Sequence, residues 1–236
     1  MGFLTLTAKS GSTRLPSSLQ KPDGESDNRQ LIWPAMAIHI GTSGWHYKHW
    51  VGTFYPPDIR PGKMLRWYAE RFDTVEINNS FYRLPAPAAF QIWCRGTRLG
   101  PILFQLPPSW KVNAQRLEGF LATLPSTHRY VFEFRNPTWN VGPAYQVLER
   151  RNAAFCIYEL AGFQSPVEVT ADFTYVRLHG PGNQYQGDYS KNSLRSWAKM
   201  IEVWRTELKH AFVYFDNDQA GFAAKNALQL KRLVDG

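Results

Sequence analysis

Short apolar runs alternate along the chain with stretches in which apolar residues recur every third or fourth position. From Ala37 onward this rhythm predicts strand and helix in turn. Ile38–Ile40 predicts a strand running into Gly41-Thr42-Ser43-Gly44, and Lys63–Phe72 carries Met64, Trp67, Tyr68 and Phe72 at helical spacing. Further strands are predicted at Thr74–Asn78, Pro101–Leu106, Arg129–Phe134, Ala153–Leu160, Phe173–Leu178 and Ala211–Phe215. Helices are predicted at Pro87–Arg95, Asn113–Leu124, Pro143–Arg151, Ser193–Leu208 and Gln219–Val234. Residues 1–35 have no such period: Ser10, Ser12, Pro16, Ser17, Ser18, Pro22 and Gly24 interrupt them, which predicts a disordered N-terminal extension before a single domain at 36–236.

The strands are too apolar to have a wet face, which predicts a parallel sheet covered by helices, either open or closed into a (β/α) barrel. The parity of the polar residues separates the two. Glu76 and Asn78 alternate with Val75 and Ile77, Gln105 lies between Phe104 and Leu106, Glu133 and Arg135 flank Phe134, Arg177 and His179 flank Leu178, and Asp216 follows Phe215. Successive side chains point to opposite faces, so each strand has a greasy face and a face that turns polar toward its C-terminal end. An open sheet would bury those charges under helices at high cost. A TIM barrel turns them inward and opens them at its C-terminal mouth, where barrel active sites are built.

That constellation suits a small anionic or sugar-like ligand. The guanidiniums of Arg135 and Arg177 match carboxylate or phosphate geometry, and Asn78, Asn79, Gln105 and Asp216 supply polar contacts. Glu76, Glu133 and His179 are the candidates for acid–base or hydrolytic work. The alternative reading is a non-catalytic, ligand-binding or degenerate barrel in which the charges only brace one another. Aromatic residues Trp45, Trp50, Phe54, Tyr55, Phe81 and Tyr82 gather after the first two strands, either to stack on a ligand or to roof the barrel.

Composition narrows this only modestly. Among 236 residues, 27 Lys and Arg against 19 Asp and Glu give a formal charge of +8, but the charge is scattered, so nucleic-acid binding has little behind it. The cysteines Cys94 and Cys156 form neither a disulfide framework nor a metal-spaced pair. No apolar run spans a bilayer, so a cytoplasmic protein is expected. No cofactor is indicated, and no metal site is assigned.

Several segments together resemble a known family: Gly41-Thr42-Ser43-Gly44-Trp45, Gly52-Thr53-Phe54-Tyr55-Pro56, Glu76-Ile77-Asn78-Asn79-Ser80-Phe81-Tyr82, Gln105-Leu106-Pro107-Pro108-Ser109, Glu133-Phe134-Arg135, Tyr175-Val176-Arg177-Leu178-His179-Gly180, the Tyr185-x-Gly187-x-Tyr189 stretch and Tyr214-Phe215-Asp216-Asn217-Asp218. In this order they resemble the domain of unknown function 72 family (DUF72, YecE-like). The resemblance implies a TIM barrel of bacterial or archaeal origin and no established reaction. The chain departs from the family pattern by lacking about one βα unit between residues 95 and 101. It also carries Glu159 and Asp216 where the family tends to have Asp and Asn. An incomplete barrel must leave a gap, draw two strands together or recruit the N-terminal tail.

Overall fold

In the computed structural model, which describes residues 2–8, 35–77 and 97–236, nine strands form one curled sheet. They are β1 (Gly2–Ala8), β2 (Ala37–Thr42), β3 (Thr74–Ile77), β4 (Thr97–Leu106), β5 (Tyr130–Phe134), β6 (Ala154–Leu160), β7 (Phe163–Gln164), β8 (Phe173–Leu178) and β9 (His210–Phe215). Five α-helices are present among the described residues: α1 (Pro61–Ala69), α2 (Ala114–Thr123), α3 (Gly142–Arg150), α4 (Lys191–Trp204) and α5 (Phe222–Asp235). None is long and apolar enough to cross a membrane.

The strand order is β2-β9-β8-β6-β5-β4-β1-β3, with β7 paired to β6. From β2 through β4 all successive neighbours are parallel. The sheet curls far enough for the two ends of this path to touch. Ser43 forms a parallel bridge with Glu76, and the Gly44 amide donates to the Glu76 carbonyl over 2.8 Å. The architecture is therefore α/β with a curled, mainly parallel half-barrel sheet.

Period-two alternation sorts the buried side chains into two shells. Ile40, Val75, Phe132, Phe134, Ile157, Val176, Leu178, Val213 and Phe215 join the helices in one large cluster. Leu103, Val131, Ala154, Cys156, Phe173, Tyr175, Phe212 and Tyr214 form a second cluster on the concave face. The helices present their apolar stripes to the first. Asn113 caps α2 by accepting from the Arg116 amide (2.8 Å), and Leu117 and Leu121 turn inward. Ser190 caps α4 through the Ser193 amide (3.1 Å), and Leu194, Trp197, Ala198, Ile201 and Trp204 are buried along one face.

Two strands depart from the expected pattern. β7 returns on β6 through Ala161 (φ 50°) and Gly162 (φ 79°), a two-residue hairpin turn in the left-handed region. β1 lies within the extension expected to be disordered, and it runs antiparallel between β3 and β4, where a βα unit is expected to be missing. The physical reason is non-local: β1 pairs with strands far along the chain, which composition alone does not reveal. β4 also begins earlier than expected, which gives β1 a longer partner. The predicted helix at 87–95 and residues 9–34 lie outside the described residues.

At the N-terminal end of the strands, a hydrogen-bond chain crosses the concave face. Arg129 Nη2 lies 2.9 Å from His210 Nε2, His210 Nδ1 lies 3.4 Å from His39 Nε2, and His39 Nδ1 lies 3.0 Å from Asp73. A guanidinium only donates, so His210 Nε2 accepts from Arg129 and its Nδ1–H points to His39, whose Nδ1 in turn faces Asp73. Burial, then the charge of Arg129, pushes His210 from its ordinary 6.5 to about 4, with Asp172 opposing and Lys209 adding to the effect. The native state therefore binds this proton later than the unfolded chain. Its stabilisation is complete above pH 6.5 and disappears as the pH falls toward 4. After discounting for the solvent that still screens this half-exposed ring, the expected loss is about 1–2 kcal/mol. Denaturation at pH 7.5 and 5 should show a smaller acid loss in His210→Gln than in the parent. Equal losses would show that the histidine chain does not contribute.

Candidate functional site

The C-terminal ends of β3, β5, β8 and β9 turn Glu76, Glu133, Arg177 and Asp216 onto one spot. Arg177 is at its centre, 2% exposed, between two carboxylates that are fully buried. Its Nη2 is 2.7 Å from Glu76 Oε1, and its Nη1 is 2.8 Å from Glu133 Oε2. Nη1 also donates to Gln105 (3.2 Å) and Nη2 to Asp216 (3.4 Å). Glu76 accepts further hydrogen bonds from Ser43 Oγ and Tyr175 Oη, each 2.6 Å. These contacts use most of its lone pairs.

Burial alone would raise the Glu133 carboxyl, but Arg177, then Arg135, hold it well below the ordinary 4.5. Burial would likewise lower the Arg177 guanidinium, but Glu76, Glu133 and Asp216 keep it well above its usual value. Burial, then Glu76, pushes the Tyr175 phenol well up, so it remains a donor. Burial, then Glu133, does the same to the Cys156 thiol, whose sulfur lies 3.7 Å from Glu133 Oε2. That position does not favour a thiolate nucleophile.

Above this layer are Arg135, His179 and Asp216. Arg135 Nε is ion-paired with Glu133 Oε1, and Nη2 lies 3.0 Å from His179 Nε2. Because the guanidinium must donate, His179 Nε2 accepts and Nδ1–H donates to Asp216 Oδ2 over 2.9 Å. His179 Nε2 is 3.8 Å from Glu133 Oε1. The Arg135 guanidinium also lies 4.7 Å over the Tyr158 ring. His179 is itself fully buried, with the Tyr185 ring edge-on at 5.4 Å.

A cavity of about 480 Å³ opens beside Arg135, lined by Gln105, Asn140, Tyr158, Phe163, Gln184 and Tyr185 among others. Seven of the nine candidate residues from the sequence thus come together, while Asn78 and Asn79 lie outside the described residues. Tyr158, Tyr175 and Cys156 were missed. Their signal was available, since they share strand parity with Glu133 and Arg177, but attention to polar residues alone passes over them. The aromatics expected after the first two strands divide differently. Trp50 and Tyr55 are buried in the outer shell with Phe54, Tyr68 and Phe72, and the cavity takes its aromatic walls from Tyr158, Phe163 and Tyr185. Phe81 and Tyr82 lie outside the described residues.

The turn Gly180-Pro181-Gly182 is not an open phosphate cradle. The Gly180 amide donates to Tyr189 Oη (3.1 Å), and the Gly182 amide points to the Gln186 carbonyl (3.4 Å). Glu159 faces outward, 3.4 Å from Trp197 Nε1, and burial raises its carboxyl. Among the described residues, no group of three or more His, Cys, Asp or Glu side chains could hold a metal ion.

The family model described as "Protein of unknown function DUF72" matches residues 39–98 and 95–236. The two matched pieces overlap at residues 95–98. The UPF0759 protein YunF of Bacillus subtilis (strain 168) is 24% identical over 274 residues, covering 84% of this chain and 95% of that protein. A solved DUF72 family protein from Thermotoga maritima MSB8 has a TM-score of 0.75 at 23% identity, covering 85% of this chain and 100% of the other. One from Enterococcus faecalis V583 has a TM-score of 0.54 at 15% identity, covering 85% and 98%. These structural likenesses bear on the fold alone.

Proposed function

Since the chain belongs to the DUF72 family, whose description carries no reaction, its chemistry has to be argued from the site, and we propose an acid–base site for a small, flat ligand bearing one negative charge. In this reading the curled sheet works as a TIM-type barrel whose mouth is the cavity beside Arg135. His179 is the proton acceptor once the anion draws Arg135 off its Nε2, Asp216 fixes its tautomer and orientation, and Arg135 meets the anion. Glu76, Glu133 and Arg177 form the rigid layer that positions them, with Glu133 as the nearest further proton acceptor.

The observation that carries the reading is the position of Arg135. One edge of its guanidinium is committed to Glu133 and His179, while the residue lines the cavity. The anion is expected to be a carboxylate. Glu76, Glu133 and Asp216 outnumber Arg135 and Arg177 when His179 is neutral, so a phosphate dianion would meet an excess of negative charge. Tyr158, Phe163 and Tyr185 suit a flat ring or sugar face. The same packing favours one rival, a purely binding barrel, because Tyr185 covers His179.

A thermal-shift screen separates these readings. Cyclic monocarboxylates should raise the melting temperature more than matched phosphates or neutral sugars. Arg135→Gln should weaken the best of them by about 10–100-fold, the range for a charge-assisted hydrogen bond. His179→Gln should keep binding and lose turnover. Unchanged affinity in Arg135→Gln would overturn the assignment. Binding without chemical change in any bound compound would favour the binding-only barrel.

A further inference from the structure

Every strand pairing from β2 through β4 joins parallel neighbours, whereas β1 enters antiparallel between β3 and β4 and hydrogen-bonds to both. No local turn brings it there, since residues 9–36 separate it from β2. Its register is chemically matched. On β3, Leu4 and Leu6 pair with Ile77 and Val75, while Thr5 and Thr7 pair with Glu76 and Thr74. On β4, Phe3, Leu4 and Leu6 pair with Leu103, Ile102 and Leu99. A slip of one residue would set the leucines opposite Glu76 and Thr74, so the alternation selects this register.

We propose that the slot between β3 and β4 is a peptide-binding site for an extended strand of alternating apolar and hydroxyl residues, with Gly2–Ala8 as its tethered, exchangeable ligand. Strand addition gains affinity from backbone hydrogen bonds and specificity from alternate side chains. Here the peptide bonds on both sides and covers two edges that would otherwise be open to aggregation. The tether makes binding intramolecular, so the slot stays filled at any protein concentration. The proposal does not rest on the chemistry assigned to the mouth, although Thr5 pairs with Glu76 of the layer beneath it.

The test uses the full chain with a specific protease sequence inserted within residues 9–34. After native cleavage, a fluorescent Gly2–Ala8 peptide is added, and exchange is followed by anisotropy and gel filtration. The expected results are saturable binding, displacement of the native fragment, and competition by unlabelled peptide. A Leu4→Pro peptide should bind at least about 100-fold more weakly, because proline removes a ladder hydrogen bond at a position paired on both sides. Light scattering of the uncleaved chain should give a monomer mass. Four outcomes would overturn the proposal: a fragment that separates with folding and melting unchanged and no peptide binding, a fragment released only on unfolding, equal binding of the proline peptide, or a dimer that parts when the strand is released.

Discussion

Replacing Arg177 with Met should cost about 3–5 kcal/mol of stability, the range for breaking a buried ion pair from one side. Methionine keeps much of the side-chain volume, so the loss reports charge rather than a cavity. Glu76 would be left with Ser43 and Tyr175 as neutral donors, and Glu133 with Arg135. The pH dependence should change as well. In the parent, Glu133 is held below its ordinary 4.5, so its contribution is present above that pH and is lost as the pH falls through the native value. In Arg177→Met, burial without the central guanidinium favours the protonated Glu133 carboxyl, so mild acid should restore stability. Glu76→Gln in the Met background should recover part of the deficit at neutral pH, because the amide needs no counter-charge. Urea denaturation of the four proteins of this cycle at pH 7.5 and 5.0 measures all three effects. A loss below about 1 kcal/mol, or a variant that weakens further in acid, would show that the central network is not braced by charge.

The second large effect is expected at Gly41. A Cβ built there would run into the Thr74 carbonyl, well inside van der Waals contact. The atom it meets first is backbone, at the seam where β2 meets β3, so no side-chain rotation relieves it. Gly41→Ala should therefore reach or exceed the upper end of the about 1–3 kcal/mol usual for overpacking. It should also separate Ser43 from Glu76, whose 2.6 Å hydrogen bond crosses the same seam. Gly119 in α2 is the control, since a Cβ there meets nothing within 4 Å. Gly119→Ala should stabilise by about 0.5–1 kcal/mol through helix propensity. Thermal melts of both variants decide the matter, and a Gly41→Ala melt matching the parent would mean that the seam is loose.

Much of the site was legible because strand alternation is a local rule. Glu133 and Arg135 must share a face, as must Arg177 and His179, and seven of the nine candidate residues converge as parity requires, while Asn78 and Asn79 lie outside the described residues. The division of labour among them was not legible. From the sequence, Glu76 and Glu133 could be acids and bases or could brace the arginines, and the placement of Arg177 between them shows two carboxylates bound to a common cation. The walls of the cavity beside Arg135 were not legible either. Phe163 reaches it because of a two-residue hairpin at Ala161-Gly162, and Tyr185 because the 180–189 loop folds over His179.

By itself the sequence determined the periodic elements, the two-faced character of the strands and the set of polar residues available to the mouth, since these depend on side-chain spacing of two and 3.6 residues. Tertiary structure alone decided which charges neutralise each other, which aromatics line the cavity and what fills the gap between β3 and β4. Those outcomes depend on pairings between residues far apart in the chain, where a few ångströms separate a braced ion pair from an accessible proton donor. No local pattern carries that distance.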